Sequence, residues 1–274
     1  MVKKWNVIVL IVGLFVGNAS YCWNALGHRL VAQIAYHHLT PHAKRVLNHY
    51  NHALDKVYRP QNLVNAAVWL DSLRYQKDLW LGSKHYIDIP FSFDGTDLIK
   101  EDNVNAVSAI NTAKELMQDN SANDFEKGFT LRILLHVVGD IHQPLHAANQ
   151  FSVKNPQGDQ GGNLFYLKAN PVANNLHAYW DRGGGLLNYK RYTSAQLSRK
   201  AYSIEKRWPC HLENMVLVPQ IWAEESHQLA VHNAYQIKMG EKPSKLYQQM
   251  VKKTVEQRIA IAGCRLAALL NQIS

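Results

Sequence analysis

The sequence predicts a mainly α fold with a little β in loops, and three observations carry that prediction. Apolar residues recur at three- and four-residue steps through most of the chain, strand-like runs are few and short, and no linker or repeat divides it. Near the start, Leu30, Val31, Ile34, Ala35 and His38 share one helical face, and Thr40-Pro41 closes that helix and opens the next. The same periodicity predicts helices over Leu63 to Arg74, Asn103 to Met117, Asp124 to Ala148, Ser194 to Lys206 and Gln220 to Lys238. Leu246, Met250, Val255, Ile259, Ala262, Leu266 and Leu269 form the apolar stripe of a last helix. Tyr86 to Phe93 and Asn163 to Leu167 are β-prone but lie beside Gly and Asp, so they read as loops or a small hairpin. The glycines of Gly158 to Asn163 and of Asp181 to Gly185 mark irregular backbone that can approach a site.

The first residues read as a removable secretory signal. Lys3 and Lys4 precede an apolar stretch from Val7 to Val16, too short for a permanent membrane span, and small and polar residues follow up to Cys22. Cleavage between Cys22 and Trp23 makes residues 1–22 a leader and residues 23–274 one large domain, secreted or periplasmic, with no integral membrane segment. The alternative is acylation of Cys22, but Ala19-Ser20-Tyr21 lacks the usual apolar residue three positions upstream. Cys210 and Cys264 then remain as an even pair, which in an oxidising compartment reads as a disulfide, with two separate buried thiols as the alternative. The chain carries 30 Lys plus Arg against 21 Asp plus Glu. That surplus suits attraction to polyanions such as nucleic acid, although solubility explains it nearly as well.

The richest string is HVVGDIHQPLH, His136 to His146. His136 and Asp140, four residues apart, project from one helical face and can clamp a single cation. His146 lies ten residues past His136, on an adjacent flank where a second metal could use it, with a bend expected at Pro144. A buried Asp among histidines is unfavourable without a metal or hydrogen bonds, and imidazole with carboxylate is a zinc ligand set. The plain alternative is a helix with satisfied surface histidines. Four further strings have the same character: LHAYWD with His177 and Asp181, AVWLDSLR with Asp71 and Arg74, HYID with His85 and Asp88, and WNALGH with Trp23 and His28. Two close metal ions can share a water, lower its pKa and present hydroxide in line with a phosphorus atom, while a fixed cation offsets phosphoryl charge.

Taken in order, WNALGH, AVWLD, HYID, HVVGDIHQPLH, GDQGGN and NLHAYWD resemble the zinc-dependent, single-strand-specific class I nucleases of the S1/P1 type, and WAEES (Trp222 to Ser226) resembles a later segment of that family. The resemblance implies a single helical domain of the fold shared with zinc phospholipase C, holding three Zn2+ ions. The first ion would fall to Asp71, His85, His136 and Asp140, and the second to His146, His177 and Asp181. The third would fall to His28, to Asp140 as a bridge, and to Trp23 through its α-amino nitrogen and carbonyl oxygen. Asp71, Asp140 and Arg74 would carry catalysis, with Arg74 as the fixed cation. Tyr86 and Asp88 would form a base pocket, and Asn163 would touch phosphate or orient a ligand.

The implied activity is a secreted endonuclease cleaving single-stranded DNA and RNA to 5′-phosphorylated products, with 3′-nucleotidase activity. No stable protein partner is implied. Zinc-dependent phospholipase C is the nearest rival; HAAN (His146 to Asn149) is similar to its version, whereas Asp181, where phospholipases carry Glu, favours the nuclease. A non-catalytic secreted metal-binding module is a further alternative, disfavoured because structural zinc sites are closed and usually Cys-rich.

Overall fold

The computed structural model describes residues 23–75, 80–99, 104–188 and 191–274, without the side chains of Arg74, Tyr75 and Asn214. The expected leader, residues 1–22, lies outside the described residues, as does the side chain of Arg74. Ten helices occur among the described residues: α1 (Ala25–His38), α2 (Pro41–His52), α3 (Leu63–Ala66), α4 (Trp69–Tyr75), α5 (Ala106–Gln118), α6 (Asp124–Asp140), α7 (Leu176–Asp181), α8 (Ser194–Arg207), α9 (Pro219–Leu229) and α10 (Lys245–Gln272). The fold is mainly α, as the periodicity predicts.

The long helix α6 runs through the middle. Asn123 caps it and pairs with Glu126 in a capping box, and Asp124 and Glu126 in its first turn complement the helix dipole. Leu131, Leu134, Val137 and Val138 are fully buried on several sides of it, because α2 and α5 pack against it and α10 crosses it. Helix α1 lies between α10 and α8. One continuous apolar cluster links these layers, from Trp23 to Ile273.

Several expected elements are corrected. Leu63 to Arg74 is not one helix: it breaks after Ala66 and restarts at Trp69. The break coincides with the carbonyl of Ala67, which accepts a hydrogen bond from His136 instead of continuing a helix. Asp124 to Ala148 also divides, since α6 ends at Asp140 and a 3-10 turn, Pro144–Ala147, follows. Pro144 has no N–H to offer a continuing helix, so His146 stands on a separate turn rather than on a flank of α6. Gln220 to Lys238 is helix only to Leu229, passing into a π turn over Ala230–Ala234. In α10 the inward stripe starts with Tyr247, Val251 and Val255, while Leu246 is 77 % exposed; the five-residue step from Met250 to Val255 had hidden that shift.

The β structure is a pair of three-residue strands, β1 (Pro90–Ser92) and β2 (Asn149–Phe151), and they run parallel. A hairpin is therefore wrong for Tyr86 to Phe93. Asn163 to Leu167 contributes only an isolated bridge, Tyr166 to Asn175. The parallel pair follows directly on His85 and His146, and Ile87 N–H donates to the His146 carbonyl at 2.8 Å. Its role is to hold two ligand-bearing segments side by side.

Candidate metal centre

Three imidazoles of the predicted set are aimed by the same device. Nδ1 of His136 lies 2.7 Å from the carbonyl oxygen of Ala67, Nδ1 of His146 2.8 Å from that of His85, and Nδ1 of His177 2.7 Å from that of Gly161. A carbonyl only accepts, so each Nδ1 carries a proton, and in the neutral ring each Nε2 presents its lone pair to a metal. The donor for His177 depends on a glycine. Gly161 has φ +61°, and a Cβ there would sit 2.5 Å from the Leu145 carbonyl oxygen. Only a residue without a side chain lets that loop close on the turn bearing His146.

The nitrogen and oxygen atoms converge in three groups, each within 4.8 Å: His28, His136 and Asp140; Asp71, His85 and His136; and His146, His177 and Asp181. Around the middle of the set, His136 Nε2 lies 3.2 Å from Asp140 Oδ2, 3.2 Å from His85 Nδ1 and 3.7 Å from Asp71 Oδ1, and His85 Nδ1 is 3.0 Å from Asp140 Oδ2. Ligands about 2.0–2.1 Å from a tetrahedral zinc stand roughly 3.3 Å apart, so the His85, His136 and Asp140 atoms are spaced as ligands of one such ion, and Asp71 groups with the two imidazoles. The other oxygen of the same carboxylate, Asp140 Oδ1, lies 3.3 Å from His28 Nε2. In the last group His177 Nε2 is 3.5 Å from Asp181 Oδ2, and His146 Nε2 is 4.0 Å from Asp181 Oδ1.

The electrostatics of this cluster point to cations. His28 Nε2, Asp140 Oδ1, His146 Nε2 and Asp181 Oδ2 are buried atoms that make no hydrogen bond, which is unfavourable unless a metal takes their lone pairs. Burial pulls His136 down, but Asp140 and Asp71 outweigh it and push the imidazole up to about 9. Burial pushes Asp140 up, yet His136 and His28 hold it well below the usual carboxylate range. Asp181 goes the other way: burial, then the charges of Asp140 and Asp71, force it well above that range. His146 falls to about 3, through burial and neighbouring imidazoles. A divalent cation among them favours ionised carboxylates and neutral imidazoles together.

Trp23 is fully buried, its Nε1 donating to the Gly139 carbonyl at 2.9 Å, and the next residue's N–H reaches the Asp181 carbonyl at 3.3 Å. The chain at Trp23 therefore runs between the ends of α6 and α7. Arg74 is in α4, one turn after Asp71. Tyr86 is 37 % exposed and Asp88 half-buried, both just beyond His85. Asn163 is half-buried and donates to the Gln160 carbonyl at 2.7 Å within its own loop. Cys210 and Cys264 form a disulfide with Cα atoms 5.4 Å apart.

The model of the family described as S1/P1 Nuclease matches residues 23–274. The chain belongs to that family. Among curated relatives, Endonuclease 1 of Arabidopsis thaliana is 27 % identical, with 97 % of this chain and 92 % of that protein covered. Nuclease P1 of Penicillium citrinum is 26 % identical, covering 92 % and 97 %. Nuclease S1 of Aspergillus oryzae is 27 % identical, covering 95 % of each. This member of the S1/P1 nucleases is thus a zinc-dependent hydrolase of phosphodiester bonds, acting on nucleic acid. The phospholipase and non-catalytic readings give way to it. Among the described residues no helix is long and apolar enough to cross a membrane.

Sequence reasoning missed the residues behind the ligands. Gln143 donates from Nε2 to Asp181 Oδ1 at 2.8 Å, while its Oε1 accepts from Leu145 N–H at 2.7 Å. Asp159, fully buried, accepts from Gln150 N–H, Gly162 N–H and the Tyr235 hydroxyl, and so holds the loop that carries Gly161. Glu225 and Ser226 of WAEES meet Arg258 and Arg265 of α10, and the two arginines reach the His142 carbonyl and ring. Two arginines on the apolar stripe of α10, seven residues apart, were the available signal. Polar residues in a buried stripe need buried partners.

Proposed function

We propose that the chain is a secreted or periplasmic endonuclease that cleaves single-stranded DNA and RNA to 5′-phosphorylated products and removes 3′-phosphate from nucleotides, using three zinc ions. The observation that supports it best is the Asp140 carboxylate, whose two oxygens approach separate imidazoles, His28 on one side and His85 with His136 on the other. On this reading Asp71, His85, His136 and Asp140 hold one ion and His146, His177 and Asp181 another. His28, Asp140 and the α-amino nitrogen and carbonyl oxygen of Trp23 hold the third. Removal of residues 1–22 frees that amine, and the family match begins at Trp23. The disulfide fits an oxidising compartment.

Zinc supplies Lewis acidity when bound, bringing a water's pKa toward neutrality and offsetting phosphoryl charge. The chain's own groups do the rest. The three Nδ1–H donations to backbone carbonyls fix the rings, so the ligand atoms need no reorganisation as charge develops. On this reading Asp71, at 14 % exposure the most open carboxylate of the set, accepts a proton from the attacking water while Arg74 draws charge off the phosphoryl oxygens. Tyr86 stacks on a base and Asp88 accepts from its amino edge, with Asn163 against the phosphate.

The test is to incubate protein beginning at Trp23 with single-stranded DNA, RNA and phosphatidylcholine vesicles, with and without chelator, and to analyse product ends. Chelator-sensitive cleavage of both nucleic acids to 5′-phosphates supports the reading. Chelator-resistant cleavage, 3′-phosphate ends or turnover of the lipid alone overturns it.

A further inference from the structure

A cavity of about 400 Å³ opens where α1 meets the segment entering α3 and the start of α8. Arg29, Gln33, Asn62, Asn65, Ser194 and Ser198 line much of it, and among the described lining residues there is no carboxylate. Arg29 is the charged member. Its Nε is buried without a hydrogen-bond partner, and burial alone pulls its guanidinium pKa down, with no acid to raise it again. A second cation stands nearby: Lys44 Nζ lies 4.8 Å from the ring centre of Tyr36, another lining residue.

The walls are held by their own bonds. Ser198 Oγ is 3.0 Å from His37 Nε2, and His37 Nδ1 is 2.8 Å from Glu205 Oε2, while His38 Nε2 is 2.7 Å from Glu205 Oε1. Glu205 is thus engaged by two imidazoles rather than by Arg29. Asn62 accepts from Asn65 N–H at 2.9 Å. Tyr36, Leu63, Val64, Ala195 and Leu197 also line the cavity, but the unpaired guanidinium among amides and hydroxyls supplies the donors that an oxyanion takes.

We propose that this cavity is a phosphate-binding subsite for the nucleic-acid strand, with Arg29 contacting a backbone phosphate away from the scissile bond. The proposal rests on the nuclease reading. Arg29 follows His28 on α1, so their side chains diverge by about 100° around one helix, and Arg29 lines the cavity while His28 belongs to the metal centre. On this proposal a dinucleotide held at the metals falls short of Arg29, whereas a longer strand reaches it.

The experiment compares wild type, Arg29→Gln and Arg29→Lys on a 12-nucleotide single strand and on a dinucleotide. For the strand, Arg29→Gln should raise KM by about five- to tenfold with kcat and zinc content unchanged, Arg29→Lys should recover most of the loss, and the dinucleotide should show no change. Binding of the labelled 12-mer to chelator-treated full chain, followed by anisotropy, gives a readout that needs no catalysis. There the slope of log affinity against log salt should shrink by about 0.7 in Arg29→Gln. Equal losses on both substrates, or an unchanged KM and salt slope, would overturn the subsite. Inorganic phosphate competing at Arg29 while the 12-mer does not bind would mark a free-anion site and also overturn it. If wild type cleaves neither substrate the nuclease reading fails, and the anisotropy slopes still decide the subsite.

Discussion

Asp140 Oδ1 lies 3.3 Å from Nε2 of His28, while the other oxygen of the same carboxylate faces His136 and His85. His28 and His136 themselves stack with centroids 3.8 Å apart, 14° from parallel. One carboxylate at the end of α6 thus stands between two imidazole groups, and the account of the centre turns on it.

Asp140→Asn should be the most damaging single change to the ligand set. An amide keeps the shape but loses the charge needed at two sites, so activity should fall by more than about 100-fold and zinc content by at least about one ion per chain. Metal analysis beside turnover checks this. Near-normal activity would show that the bridge is misplaced.

Gly161→Ala tests the support of His177. With φ at +61° and the Leu145 carbonyl 2.5 Å from the new Cβ, the loop must shift, at roughly 1–3 kcal/mol of backbone strain. The expected result is a lower melting temperature and weaker zinc retention on dialysis. Unchanged retention would mean that the Gly161 carbonyl does not orient the ring.

Proton release on metal binding follows from His136, pushed up to about 9 in the metal-free cluster. At pH 7 it is protonated, and a metal must displace that proton, so calorimetric zinc binding should release at least about one proton per chain. The release should diminish as pH rises through about 9. By the same sign, His136 stabilises the metal-free fold fully below about 6.5 and less as pH climbs toward 9. Binding heats that do not depend on the buffer would contradict this.

Cys264→Ser should cost about 2–4 kcal/mol, since the bond closes a separation of 54 residues. Chemical denaturation with and without reductant measures it. A variant as stable as the parent would make the disulfide incidental.

Much of this centre was legible in one dimension. His136 with Asp140 and His177 with Asp181 are pairs that helix geometry brings together within α6 and α7, and the capping residues of α6 mark its start. His85 and His146 were legible only as motif members, because what joins them is a three-residue parallel pair between segments about 60 residues apart. Strands that short leave no alternation to detect. The Ala67 break was invisible for a related reason: Leu63 to Arg74 keeps helical periodicity, and only the proton on His136 Nδ1 gives the interruption a purpose. Gln143 acts through a bond to Asp181 and Asp159 through bonds that hold the loop carrying Gly161, relationships with no fixed spacing.

The most direct test of the three-ion centre is the zinc content of protein beginning at Trp23, compared with protein carrying one additional Met before it. The extra residue turns the Trp23 nitrogen into an amide with no lone pair for a metal and leaves every side chain in place. The account predicts about three zinc ions per chain in the first form, about two in the second, and a large loss of cleavage with the missing ion. Equal zinc content and equal activity in the two forms would contradict it.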